Sequence, residues 1–306
     1  TTADAIGREL RDFSGTAFES LSEEELRTTR YPERRYLTVS RTQLRGLAQF
    51  AERLAPMEIR LMVNSFLEEA CDAVLETGST VGETSGSAVL GIFGAPRHFA
   101  DHPLRAIQAA CDQMQKAAVL HAGFHREGKE LPTSSCGIWT GETLVGTLGS
   151  SARQDYTALG PPVDLATTLC QLARPGEILL PEHTLTHFLR TLPEGWQHLR
   201  AESEYPPDLS DFEWSGDGIV PVPEPLRKVV FLVGPGIEEN RDNLEYYFDY
   251  LWAYQVPGRE QAVPVLRVVR PTQVGEALEF RDDNVVTTQA VQTLGKYKLV
   301  EVIGTG

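Results

Sequence analysis

Residues 33–54, ERRYLTVSRTQLRGLAQFAERL, and residues 78–96, GSTVGETSGSAVLGIFGAP, bracket one long amphipathic stretch, and the order strand, helix, hairpin that they spell decides the fold. In the first, Tyr36 to Val39 is rich in β-formers, whereas Leu44 to Leu54 predicts a helix. Pro56 then stands where a first-turn proline belongs. Ile59, Met62, Val63, Phe66, Leu67, Ala70 and Val74 follow at helical spacing, so this helix buries one face. In the second stretch, STVGET and SAVLGIF flank Ser85-Gly86, a turn-type dipeptide, and predict a hairpin.

Working outward, a second amphipathic helix is expected from about Pro103 to Leu120, and SSCGIWT and ETLVGTLG are β-like runs on either side of Gly141. A third helix should start near Pro161 or Pro162 and stop before Pro175-Gly176. EILLP and a short helix around Glu182 to Leu189 close the stretch. This order predicts an α+β, ferredoxin-like sandwich with helices on one sheet face. Residues 1–32 form a polar lead-in, with DAIGRELRDF and SEEELRTTR readable as short helices and Ser22 and Glu25 spaced as a capping box. From Glu194 to Leu226 proline, acid and aromatics dominate, which predicts a loop-rich insertion.

Composition narrows the function classes. At 306 residues and 41% apolar content the chain can bury one large core or two modest ones. A net charge of -15 argues against a nucleic-acid partner, since binding a polyanion relies on neutralising phosphates with Lys and Arg. Apolar runs such as VVFLV fall far short of the roughly 20 residues that cross a bilayer. With no basic-then-apolar leader either, the expectation is a cytoplasmic protein that engages no membrane. Cys71, Cys111, Cys136 and Cys170 are scattered without a C-x-x-C pair and are expected as buried reduced thiols.

In order and spacing these runs, together with GIWTGETLVGTLGSSARQDYTALGPPVDLATTL at 137–169 and RPGEILLP at 174–181, resemble the class III adenylyl/guanylyl cyclase homology domain. FDYLWAYQVPGREQAVPVLRVVRP is similar to that family's closing hairpin, which would make residues 198–244 an insertion before it. The alternative is a separate small domain from Leu226 onward. On the resemblance, 1–32 is a lead-in, 33–270 the degenerate cyclase homology domain, and 271–306 a linker and the expected start of a kinase domain.

The resemblance also marks what has changed. Cyclisation of a nucleoside triphosphate uses two divalent cations, and hard cations need carboxylate oxygens. Where the family carries its two metal-binding Asp residues, this chain has Gln43 and Ser87. The family's adenine-selecting Lys position is Glu83, while Asp155, in QDYTALG, keeps the second base-recognition position. Glu83 and Asp155 together would repel each other and favour no adenine. The helix that normally carries an Asn and, four residues later, a phosphate-stabilising Arg has Asp164 and Thr168. The implied catalytic set is therefore empty, with no metal and no cofactor, and Asp155 is the one retained ligand-binding position.

Weaker signals have plainer readings. His98/His102, His121/His125 and His183/His187 each stand four apart but lack a Glu or Cys to complete a metal signature. VVFLVGPGIEEN lacks the residues of a P-loop or dinucleotide fingerprint and is read as a turn. The cluster YYFDYLWAY suits a hairpin as well as a helix and is expected to serve core and interface packing. GKYKLVEVIGTG resembles the opening strand and glycine loop of a protein kinase domain, with Gly304 and Gly306 present and the catalytic residues beyond the sequence.

These readings converge on a non-catalytic cyclase-like pseudoenzyme, a homodimeric regulatory module joined in cis to a C-terminal serine/threonine kinase domain. The alternatives are a domain that senses a small-molecule ligand in the remodelled cleft and a divergent nucleotide cyclase.

Overall fold

The computed structural model describes residues 29, 31–126, 129, 132–150, 154–192, 197–203, 219–220, 228–233, 244–269, 293–294 and 297–305. The expected helices of the lead-in, the capping box at Ser22, the Gly-Pro-Gly turn and residues 271–292 of the linker lie outside these residues. The chain divides into two compact units, residues 1–179 and 180–306.

The first unit carries strands β1 (Glu33–Leu44), β2 (Thr80–Ser85), β3 (Ala88–Phe93), β4 (Ser134–Gly149) and β5 (Gln154–Leu159) and the start of β6 (Ile178–Pro181). Its helices are α1 (Leu47–Ala51), α2 (Pro56–Glu76), α3 (His102–Arg126) and α4 (Pro161–Leu172). The sheet runs β2-β3-β1-β4-β6, antiparallel except where Cys136 and Gly137 pair in parallel with Ile178 and Leu179, and β5 is added on β4. This mixed α+β sheet is the expected class of fold.

The strand predicted over Tyr36–Val39 continues to Leu44, and the predicted helix over 44–54 shrinks to Leu47–Ala51. The reason is that polar residues of β1 are buried with partners. The Thr38 hydroxyl lies 2.8 Å from His102 Nδ1 and 2.7 Å from Thr140 Oγ1, and the Thr42 hydroxyl donates to Gln113 Oε1 at 2.7 Å. A satisfied hydroxyl carries little burial penalty, so the strand does not have to end where apolar residues do. Gln113 also donates to the Ala70 carbonyl at 2.7 Å, tying α3 to α2 through one buried amide.

Helix α2 begins as its proline indicates. Pro56 lies in the first turn, and the Ala55 N–H donates to Glu58 Oε2 at 3.1 Å. Met62, Phe66, Ala70, Ala73 and Val74 are its buried face. Phe66 and Ala70 meet Leu44, Val89 and Ala117, so α2 and α3 share one face of the sheet. Helix α3 is longer than expected, and β4 passes through Gly141 as one continuous 16-residue strand.

Helix α4 lies on the opposite face. A Cβ at Gly137 would stand 2.1 Å from the Ala166 carbonyl oxygen and 2.4 Å from the Cys170 nitrogen, so the helix backbone rests directly on β4. Arg45 fixes its far end by donating to the carbonyls of Cys170, Gln171 and Ala173, which the helix itself leaves unpaired. The prediction of helices on one face is therefore corrected: α2 and α3 lie on one side and α4 on the other.

The second unit contains α5 (Glu182–Leu189), β7 (Gln197–Ser203), β8 (Ile219–Val220), β9 (Lys228–Val233), β10 (Leu244–Tyr254), β11 (Val263–Val269), β12 (Thr293–Leu294) and β13 (Tyr297–Thr305). Its strands order as β12-β13-β7-β9-β10-β11, with β8 on β10. The aromatic cluster forms β10, whose Phe248 ring packs 5.6 Å from Phe188 of α5. β10 and β11 make the expected antiparallel hairpin. Within the segment expected as a loop-rich insertion, β7, β8 and β9 are strands. β13, the kinase-like segment, pairs antiparallel with β7.

Candidate functional site

Gly137 points at α4, so the residues paired with it across the sheet share that face. Arg41 is opposite Gly137 on one side and Leu90 on the other, and Leu90 is opposite Glu83. Gln43 lies two residues beyond Arg41 on the same face, opposite Ala88 and Ser135. Four of the residues that matter, Arg41, Gln43, Glu83 and Ser87, thus come from β1 and the β2–β3 hairpin and meet at one end of the sheet.

The hairpin turn is Gly86-Ser87, one residue later than expected, with Gly86 at φ 60° where a side chain would be strained. Backbone hydrogen bonding secures it, since the Leu44 N–H donates to the Ser87 carbonyl at 3.1 Å. The Ser87 hydroxyl is buried and donates to the Leu44 carbonyl at 3.4 Å. Gln43 is half-buried. The two positions that the family resemblance assigns to metal carboxylates are therefore neighbours across β1 and the turn, and both present neutral oxygen chemistry.

Glu83 is not a bare carboxylate. Its Oε1 accepts from Arg41 Nη1 at 2.9 Å, with the Arg41 side chain 13% exposed and that of Glu83 48% exposed. Beside the repulsion expected from Asp155, Glu83 has an ion pair that the sequence did not suggest, because Arg41 reaches over Leu90 from the next-but-one strand. Asp155 is half-buried on β5, a strand that contacts β2. Asp164 is exposed in the first turn of α4. One turn on, the Thr168 hydroxyl is bonded to the Asp164 carbonyl at 2.9 Å, so it serves its own helix.

Sequence reasoning missed Arg41 as a site residue. The signal was present: residues of equal parity on a strand share a face, and Arg41 stands two before Gln43. It also missed Arg45, whose role depends on carbonyls more than 120 residues away and has no local signature.

The Cys136 and Cys170 thiols lie buried behind the site. Burial pushes the Cys136 thiol far above its ordinary value, outweighing a hydrogen bond with Thr42. Burial likewise raises Cys170, against a hydrogen bond with Ser135, and raises Tyr156, against the nearby Arg35. Of the histidine pairs, His98 and His102 separate, with His102 buried against Thr38 and His98 outside the helix, whereas His121 and His125 are both exposed on α3 and His183 and His187 both lie on α5. Among the described residues no group of three or more His, Cys, Asp or Glu could hold a metal ion. None of the helices there is long and apolar enough to cross a membrane.

No family model matches this chain. It is 30% identical over 151 residues to the uncharacterized protein Rv1318c of Mycobacterium tuberculosis, covering 48% of this chain and 26% of that protein. It is 29% identical over 157 residues to the uncharacterized protein Rv1320c of the same organism, covering 50% and 26%. The chain thus spans about a quarter of the length of the curated relatives it matches. Among solved structures it is similar to the adenylyl cyclase CyaB from P. aeruginosa, with a TM-score of 0.56 and 21% identity over 83% of this chain and 99% of that one. It is similar also to the guanylyl cyclase Cya2, with a TM-score of 0.53 and 21% identity over 77% and 92%. The fold is that of class III adenylyl/guanylyl cyclase domains.

Proposed function

We propose that this cyclase-fold chain is a non-catalytic, dimerising regulatory module within a longer protein, one whose C-terminal part is a serine/threonine kinase. The observation that carries the first half of this reading is the donor set at the end of β1. Gln43 and Ser87 supply neutral oxygens where a pair of divalent cations would need carboxylates, and the Arg41 guanidinium lies on the same face two residues away. A fixed cation beside a metal site repels the metal, so the residues present do not fit two divalent cations. The phosphate side is lost independently, because Thr168 has no charge and its hydroxyl is turned back to Asp164.

The second half rests on length and on the C-terminal sequence. The chain matches about a quarter of each curated relative, which suits a module of a larger protein. Residues 295–306, GKYKLVEVIGTG, keep the pattern of a kinase opening. A two-fold assembly would bring two attached kinase domains together and raise their effective concentration for phosphorylation in trans.

Two experiments test this. Purified protein incubated with ATP or GTP and magnesium or manganese should yield no cyclic nucleotide; turnover lost on mutating Asp155 or Asp164 would refute the non-catalytic reading. Sedimentation should give a dimer at micromolar concentration, and deleting residues 1–270 from the full-length protein should change how autophosphorylation depends on concentration. A strict monomer with unchanged autophosphorylation would leave a spacer. A sensing role for the cleft remains the second reading, favoured by the cation that Arg41 brings into it.

A further inference from the structure

We infer that Arg41 makes the hairpin end of the β1–β3–β2 sheet a metal-independent site for a compact oxyanion of the phosphate class, and that Glu83 occupies the guanidinium until such an anion displaces it. This rests on the reading above, in which Gln43 and Ser87 hold no cations, and it names what that end of the sheet takes instead.

The argument starts from how incompletely Arg41 is satisfied. A guanidinium has five N–H donors in a planar fork. Among the described residues its side chain makes one hydrogen bond, Nη1 to Glu83 Oε1 at 2.9 Å, and its buried Nε has no partner. A cation that is largely out of water needs pairing, and a single bond leaves most of its capacity unused.

The partner it does have is easily replaced. Glu83 stands near the hairpin turn with about half of its side chain in water, so its carboxylate can rehydrate when it lets go. Its contact is one oxygen on one nitrogen, whereas an oxyanion with two free oxygens can engage two guanidinium nitrogens at once. Arg41 itself cannot follow Glu83 outward readily, since its backbone on β1 is paired with a strand on either side.

The chemistry around the guanidinium selects the size of the ligand. Gln43, on the same face, offers an amide N–H and no charge. Asp155 lies on β5, a strand that contacts β2, and a carboxylate on that neighbouring strand disfavours a long, multiply charged polyphosphate. A compact ion, or a single phosphomonoester group, meets Arg41 alone.

The test is calorimetric titration of inorganic phosphate, with phosphoserine as a second arm, into the whole chain in EDTA. In the unaltered chain Glu83 competes, so binding is weak. If Glu83 holds the guanidinium about nine-tenths of the time, Glu83→Gln tightens phosphate binding roughly tenfold, because the competent fraction rises to one. Arg41→Gln abolishes the gain, and Arg41→Lys, which keeps the charge without the fork and guards against misfolding of the first variant, weakens it. Stronger binding of inorganic phosphate identifies a free ion and stronger binding of phosphoserine an esterified group; either supports the site. Equal affinity in the unaltered chain and Glu83→Gln, unchanged affinity in both Arg41 variants, or binding that appears only with magnesium would overturn it. Cyclic nucleotide production would instead refute the underlying non-catalytic reading, so the two failures are distinguishable.

Discussion

Replacing Gly137 with alanine tests the claim that α4 is seated directly on the sheet. The added Cβ would lie 2.1 Å from the Ala166 carbonyl oxygen, 2.4 Å from the Cys170 nitrogen and 2.9 Å from the Leu169 Cβ, against an ordinary contact beginning at 3.4 Å. Helix α4 must therefore retreat by more than an ångström, and two of the three clashing groups are backbone that cannot rotate away. Retreat strains the bonds holding the helix: Arg45 to the Cys170 and Gln171 carbonyls at 3.3 and 2.8 Å, and the Ser135 hydroxyl to the Cys170 carbonyl at 2.9 Å. Overpacking costs up to about 3 kcal/mol. Weakening any two of these three hydrogen bonds adds about 1 kcal/mol each, for roughly 4–5 kcal/mol in all. At about 2–4 °C per kcal/mol for a unit of this size, Tm falls by around 10–15 °C. Urea unfolding followed by fluorescence reports it locally, since buried Trp139 is two residues along the same strand. Gly123→Ala is the internal control: it is helical, with nothing within 4 Å of the new Cβ, and should stabilise by about 0.5–1 kcal/mol. A Gly137→Ala protein within about 1 kcal/mol of the parent would refute the seating of α4 and, with it, the assignment of Arg41 and Gln43 to that helix's face.

Two further outcomes are expected. Gln43→Asp with Ser87→Asp should not restore cyclisation, because Glu83, Asp164 and Thr168 are unchanged; the pair should also cost about 1–3 kcal/mol in EDTA, since Ser87 is buried, and cyclic nucleotide from this variant would show that the metal positions alone were limiting. Stability should fall as pH rises above 9: Cys136 and Cys170 hold their protons in the folded state but release them near 9.0 when unfolded, and Tyr156 does the same from 10.0, so the unfolded chain binds fewer protons there. Denaturant melts at pH 7, 9 and 10.5 check the sign, and a flat or rising profile would contradict the burial of these groups.

How much of this was legible beforehand depended on the range of the interaction. Pro56, the 3.6-residue recurrence through Val74 and the stop at Pro175-Gly176 placed α2 and α4, because helix signals are local to the helix. Order and spacing likewise placed the β2–β3 hairpin and the four altered positions Gln43, Ser87, Asp164 and Thr168 within one fold. The length of β1 was not legible, since whether Thr38 and Thr42 end a strand or continue it depends on His102 and Gln113, which lie 64 and 71 residues further on.

By itself, then, the sequence determined most elements of the first unit, their order, and that positions 43 and 87 carry no charge, because each of these is written in residue type and near-neighbour spacing. Tertiary structure alone decided which face each element buries and what Glu83 meets. Two carboxylates read along the chain predicted repulsion, but pairing β1 with β3 and β3 with β2 carried Arg41 to within 2.9 Å of Glu83. Coulomb energy depends on distance in space, which strand register sets and separation along the chain does not.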